Sequence, residues 1–142
     1  MDTSKVTIRN FRMQDYNGIV RLWKIAGLEI RPGDERAQIR KKLERDPELF
    51  LVAEENESFV GTVLGSWDGR RGWIHHLAIR PSRQRTGLGT LLIEEVEKRM
   101  RKKGVLKVNA IVYRTNKKSI NFFKKNGYEH HEEDLFFGKL LG

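Results

Sequence analysis

Between Leu49 and Ile79 the sequence carries three strand-length runs joined by very short turns, which leaves little but antiparallel neighbours. Leu49 to Glu54 is a short apolar run, and Glu55-Asn56-Glu57 turns it. Phe59 to Trp67 is longer and rich in Val and Thr. Asp68-Gly69 is a hairpin signal, and Trp73 to Ile79 follows. Around this meander the period changes from two to that of a helix. Val6 to Arg9 reads as a strand. After Asp15, a candidate N-cap, Tyr16, Ile19, Val20, Trp23 and Ala26 share one helical face. A second helix runs to about Arg45 with Ile39 and Leu43 inward, and Asp46-Pro47 stops it. Past the meander, Leu88, Leu91, Leu92, Val96 and Met100 form a helical stripe. Lys107 to Val112 reads as a strand. Ile120 and Phe123 mark a short helix ended by Asn126-Gly127, and Tyr128 and Leu135 to Leu140 read as closing strands. The order β-α-α-β-β-β-α-β-α-β-β predicts an α/β (α+β) fold. Its sheet is mixed, mostly antiparallel, of about seven strands, with four helices flanking it. No linker or repeat interrupts residues 1–142, so one domain is expected.

The formal charge of +9 favours an anionic partner: nucleic acid, an acidic protein or a phosphorylated small molecule. Much of that charge has a simpler explanation. Lys98, Arg99, Arg101, Lys102 and Lys103 end the long helix, with Glu94, Glu95 and Glu97 nearer its middle, as the helix dipole favours. No nucleic-acid recognition motif accompanies them. The chain has no cysteine, which excludes disulfides and a thiolate nucleophile. No run approaches the roughly 18 apolar residues of a membrane span, and Met1 to Asn10 lacks a signal-peptide core, so a cytoplasmic protein is expected. His130 and His131 stand beside Glu132, Glu133 and Asp134, but neighbouring strand residues point apart and chelate poorly; no metal site is expected.

The sharpest local feature is Gln84-Arg85-Thr86-Gly87-Leu88-Gly89, directly after a strand and opening a helix. A helix N-terminus has unpaired N–H groups and a partial positive charge. Glycines remove the Cβ atoms that would hold a pyrophosphate away. Arg83 and Arg85 add countercharge, and Thr90 a hydroxyl. The turn is not a P-loop, which needs Gly-Lys-Ser/Thr, nor a dinucleotide fingerprint, whose third glycine is Leu92 here. Gly-x-Gly alone is equally a tight turn that lets a helix pack closely.

Leu77-Ala78-Ile79-Arg80-Pro81, then Gln84-x-x-Gly87-x-Gly89, then Leu91-Leu92, resembles the acyl-CoA site of the GCN5-related N-acetyltransferase (GNAT) superfamily. Downstream, Asn116 and Phe122-Phe123-Lys124-Lys125-Asn126-Gly127-Tyr128 are similar to that family's Asn and aromatic-x-x-x-Gly-aromatic segment. Within the superfamily the chain looks closest to the YpeA-like acetyltransferases. The resemblance implies acetyl-CoA as co-substrate and an amine as acceptor: a small metabolite, a peptide N-terminus or a lysine. It implies that Leu77, Ala78 and Ile79 bind the pantetheine arm through their backbone, on a bulged, splayed strand. The amides of Gln84, Arg85, Thr86, Gly87, Leu88, Gly89 and Thr90 would hold the pyrophosphate. Asn116 would reach the cofactor arm, besides capping the helix that follows it, and Phe123 would lie on the cofactor side. The Leu28 to Glu35 segment would help shape the acceptor wall. A homodimer is the default expectation for such a domain.

Amine acylation by a thioester needs a base, an oxyanion donor and a way for the thiolate to leave. The backbone N–H of Leu77 is the family's oxyanion donor. His75, two residues before Leu77, holds a position where some members carry a base. Strand alternation puts His75 and His76 on opposite faces. Glu29 is a further candidate. Where the family often has a Tyr acid, this chain has Phe123, which has no proton to give. That departure keeps open a non-catalytic acyl-CoA-binding module, and the charge a nucleic-acid-binding domain.

Overall fold

The structure, a computed structural model, describes residues 5–142. Its contacts divide the chain into two compact units, Met1–Ile111 and Val112–Gly142. The first unit holds a five-stranded sheet of β1 (Thr7–Asn10), β2 (Phe50–Glu55), β3 (Ser58–Trp67), β4 (Gly72–Ile79) and β5 (Val108–Ala110), in that spatial order. The first four pair antiparallel, and β5 runs parallel to β4. A parallel step needs a crossover, which helix α3 (Leu88–Lys102) supplies. Helices α1 (Tyr16–Ile25) and α2 (Arg36–Arg45) stand between β1 and β2 in the chain.

Alternation along β3 sorts the layers. Leu64 packs into a buried cluster with Ile19, Leu22 and Trp23 of α1, Ile39 of α2 and Phe50 of β2, so α1 and α2 cover that face. Gly65 faces the opposite way, under α3. A Cβ there would stand 2.8 Å from Val96 Cγ2 and 3.0 Å from the Leu49 carbonyl, so the helix sits as close as it does only over glycine. The α3 stripe comprises Leu88, Leu92, Ile93, Val96 and Met100, all buried. Leu91 lies outside it and is exposed. The buried row runs at spacing four through 88, 92, 96 and 100, and Ile93 falls nearer its centre line than Leu91.

Two expectations are corrected here. Asp15 does not cap α1 with its side chain. Its carboxylate accepts both Arg9 amino groups, at 2.8 and 3.0 Å, and the Arg12 N–H at 2.8 Å. A bidentate guanidinium is the stronger partner for a buried carboxylate. The second unit contains α4 (Lys117–Lys125), capped by Asn116, whose Oδ1 accepts the Ser119 N–H at 3.1 Å. Phe123 is buried and meets Tyr128 edge to face at 5.1 Å. Tyr128 and Leu135 to Leu140 are not strands, so the described sheet has five strands rather than about seven. Leu135-Phe136-Phe137 is a consecutive apolar run broken by Gly138, without the alternation that buries one face of a strand, and all three are largely exposed.

Candidate active site

The register of β3 on β4 slips once. Thr62 faces Ala78 and Leu64 faces His75, so His76 and Leu77 together oppose Val63. This is a β-bulge, and His76 adopts φ +31 to make it. On its other side β4 pairs with β5 only through Gly72, Trp73 and Ile74. From His75 to Ile79 no strand among the described residues pairs with that side. Bulge and splay therefore coincide. A strand edge left open in this way can take an extended, amide-bearing ligand by main-chain hydrogen bonds.

The bulge overturns the expectation that His75 and His76 face opposite ways, because the extra residue resets the alternation. His75 lies opposite Leu64, on the α1–α2 face. His76 reaches the same face, where its ring stands edge-on to Trp23 at 4.8 Å. Its Nε2 is 2.5 Å from Oδ1 of Asp34, a buried residue in the connection between α1 and α2. Asp34 also accepts the Arg31 N–H at 2.9 Å, and its carbonyl accepts the Tyr16 hydroxyl at 2.7 Å. Burial pushes the Asp34 carboxyl up, but the His76 and Arg31 hydrogen bonds outweigh it and hold the group below the ordinary carboxylate range. Burial, followed by the charges of His76 and Lys42, pushes His75 down to about 4, with Asp34 opposing weakly. Asp34 lies in the Leu28 to Glu35 segment expected to shape the acceptor wall, but nothing in its local sequence marks it as a partner for a histidine 42 residues away. Glu29, the other carboxylate considered, is exposed and bonded to Arg31.

These environments predict an acid limb of stability in two steps. His75 is depressed from 6.5 to about 4, so the stability it contributes is complete above pH 6.5 and lost as pH falls toward 4. The loss is on the order of 3 kcal/mol. Asp34 and Asp15 are depressed carboxyls, so their contribution is lost only below about pH 4. Urea midpoints measured from pH 8 to pH 3 are expected to fall in both windows. In His75→Gln the upper step disappears while the lower one stays.

After β4 the chain makes a short 3-10 turn, Pro81–Arg83, and enters the glycine turn. Arg85 has φ +65 and Gly87 φ +88, and α3 starts at Leu88. The amides of Arg85 to Thr90 find no acceptor among the described residues. Consecutive free amides in such a left-handed turn, at the start of a fifteen-residue helix, form an anion cradle. Nothing lies within 4 Å of where a Gly87 Cβ would stand, so the cradle is open. The Thr86 hydroxyl donates to the Arg83 carbonyl at 2.7 Å, and the Gln84 amide to the Ile79 carbonyl at 3.3 Å. The first bond closes the turn on the 3-10 segment, and the second ties it to the end of β4. Arg83, expected as countercharge, is paired with Glu55, which leaves exposed Arg85 as the turn's available cation.

Residues 12–128 match the profile described as the Acetyltransferase (GNAT) family. The chain belongs to this family. An acetyltransferase of Yersinia pestis (strain Pestoides F) is 37% identical to it over 135 residues, 94% of each chain. Among solved structures, Ard1 of Thermoplasma volcanium has a TM-score of 0.78 at 27% identity, covering 87% of this chain and 82% of that one. The PaiA N-acetyltransferase of Thermoplasma acidophilum, solved in complex with coenzyme A, shares the fold at a TM-score of 0.78 and 22% identity, covering 91% and 92%. This GNAT chain thus combines an α/β fold with a glycine turn that follows its bulged strand after one 3-10 turn. No helix among its described residues is long and apolar enough to cross a membrane. No group of three or more His, Asp or Glu positioned for a metal is found among them.

Proposed function

We propose that this GNAT chain transfers an acetyl group from acetyl-CoA directly to a primary amine. The observation that carries this reading is one continuous feature: the open edge of bulged β4 leads through a tethered turn into the free amides before α3. The pantetheine arm has two amides and pairs with the backbone of Leu77, Ala78 and Ile79. The pyrophosphate takes the amides of the Gln84 to Thr90 segment: Arg85, Thr86, Gly87, Leu88, Gly89 and Thr90. The Leu77 N–H donates to the oxyanion. Asn116 and Phe123 enter through the sequence pattern alone. Phe123 cannot protonate the leaving group, and none is required, since a thiol of pKa about 8.5 leaves tolerably as thiolate near neutrality. The family match runs across both compact units, which supports reading residues 1–142 as one acetyltransferase domain. The fold neighbour crystallised with coenzyme A supports the choice of donor.

The absence of an acid at Phe123 favours a second reading, a module that binds acyl-CoA without turnover. Calorimetric titration with acetyl-CoA and CoA, followed by steady-state turnover on an amine panel, separates the two. Binding with turnover is expected. Binding without turnover on any amine supports the module, and no binding overturns both.

A further inference from the structure

We propose that His76, held by Asp34, is the base that takes the proton from the acceptor amine. This rests on the acetyltransferase reading and assigns the step to a residue that strand alternation would have turned away from the α1–α2 side. The Asp34 carboxylate accepts the Nε2–H of His76, which fixes the tautomer and leaves the lone pair on Nδ1. Asp34 is itself fixed through the Arg31 N–H on its carboxylate and the Tyr16 hydroxyl on its carbonyl. Trp23 packs edge-on to the ring and restricts its rotation. The side chain of His76 is 21% exposed, against 6% for Asp34, so the ring can be reached while its anchor cannot.

Position supports the same assignment. His76 is the residue that bulges, immediately before Leu77, where β4 leaves β5. A histidine at φ +31 is an unusual conformation, and the surrounding contacts hold it there. The Asp34 contact also joins this strand to the connection expected to shape the acceptor wall. Among the described residues Asp34 is the ring's hydrogen-bond partner, and His75 is its titratable neighbour on β4; the Arg31 N–H and the Tyr16 phenol bond to Asp34, and Lys42 of α2 acts on His75. His75 has no comparable anchor, and its surroundings oppose its taking a proton.

The step balances as follows. The acceptor arrives as R–NH3+ and gives one proton to Nδ1 of His76. Its lone pair forms the N–C bond with the acetyl carbonyl carbon, and the C–S bond breaks as CoA leaves as thiolate. The nitrogen gives its second proton to the thiolate and His76 releases the first to solvent, so the products are the amide, CoA thiol and one released proton. Asp34 touches no reacting atom and is a positioning residue.

The test is kcat and KM of the protein, with acetyl-CoA as donor and spermidine, a lysine peptide and a peptide with a free N-terminus as acceptor probes. Asparagine tolerates positive φ, so His76→Asn keeps the bulge. This variant is expected to lose about 100-fold in kcat/KM at neutral pH, the low end for acid–base catalysis, while binding acetyl-CoA like the native protein. Asp34→Asn keeps an acceptor for the Nε2–H while Asp34→Ala removes it, so kcat is expected to fall further in Asp34→Ala than in Asp34→Asn, with KM for acetyl-CoA unchanged. A misfolded variant would lose acetyl-CoA binding as well, which calorimetry detects. Turnover of His76→Asn within about threefold of native overturns the proposal, as does an Asp34→Ala variant whose kcat equals that of the native protein. If the native protein turns over none of the probes, the acetyltransferase reading fails and this assignment falls with it.

Discussion

Truncation of Trp23 to alanine is expected to cost about 3–5 kcal/mol, the range for removing a fully buried large aromatic. Against a total stability of about 5–15 kcal/mol, that lowers the melting temperature by roughly 10–20 °C. Trp23 is 1% exposed and stacks on Phe50 at 6.3 Å, and Phe50 in turn stacks on Phe11 at 4.1 Å. It therefore ties α1 to the sheet through a line of three rings. Its indole Nε1 is buried with no hydrogen-bond partner among the described residues, an uncompensated cost in the folded state. Trp23→Phe removes that donor and keeps most of the apolar surface, so it should lose less than half of what alanine loses. Urea unfolding of both variants checks the order. Equal losses would show that the ring's size matters and its unpaired N–H does not. In the alanine variant the His76 ring also loses its edge contact, so the cost falls on the core and on the candidate site together.

The pattern of this fold was legible wherever burial follows a period. The central strands β2 and β3 read as apolar runs between turns because helices bury both of their faces, while α1 and α3 read because each presents one apolar face, with Trp23 and Val96 on it. The glycine turn was legible because left-handed backbone at the start of a helix narrows the choice of residue. The site around His76 was not. A bulge is a property of two paired strands, and nothing in His75-His76 says which residue is the extra one. Asp34 lies 42 residues from its partner, in a stretch whose proline and glycine account for it locally. The same limit explains Asp15, whose guanidinium partner lies outside the helix it precedes. Local pattern reads the faces of elements. Side-chain pairs between elements depend on register and on connections, and these are settled only in three dimensions.

Gly87→Glu is expected to weaken acetyl-CoA binding by about two to four orders of magnitude while leaving the fold intact. Two charge-assisted hydrogen bonds to the pyrophosphate, at about 1.5–3 kcal/mol each, account for a loss of that size. The variant places a carboxylate where the proposed site would hold the phosphate charge, so repulsion would add to the lost contacts. Stability should change little, for opposing reasons. Gly87 has φ +88, which costs a side chain about 1–2 kcal/mol. A negative charge at the first turn of α3 returns about 0.3–1 kcal/mol through the helix dipole. No atom lies within 4 Å of the new Cβ, so no packing is disturbed. Gly87→Ala separates the two effects: it carries the strain without the charge and should weaken binding less than glutamate does. Calorimetry with acetyl-CoA, beside thermal melts of all three proteins, reads both quantities. If glutamate and native proteins bound equally well, the phosphates would lie elsewhere, and the amides before α3 would be a tight turn and nothing more.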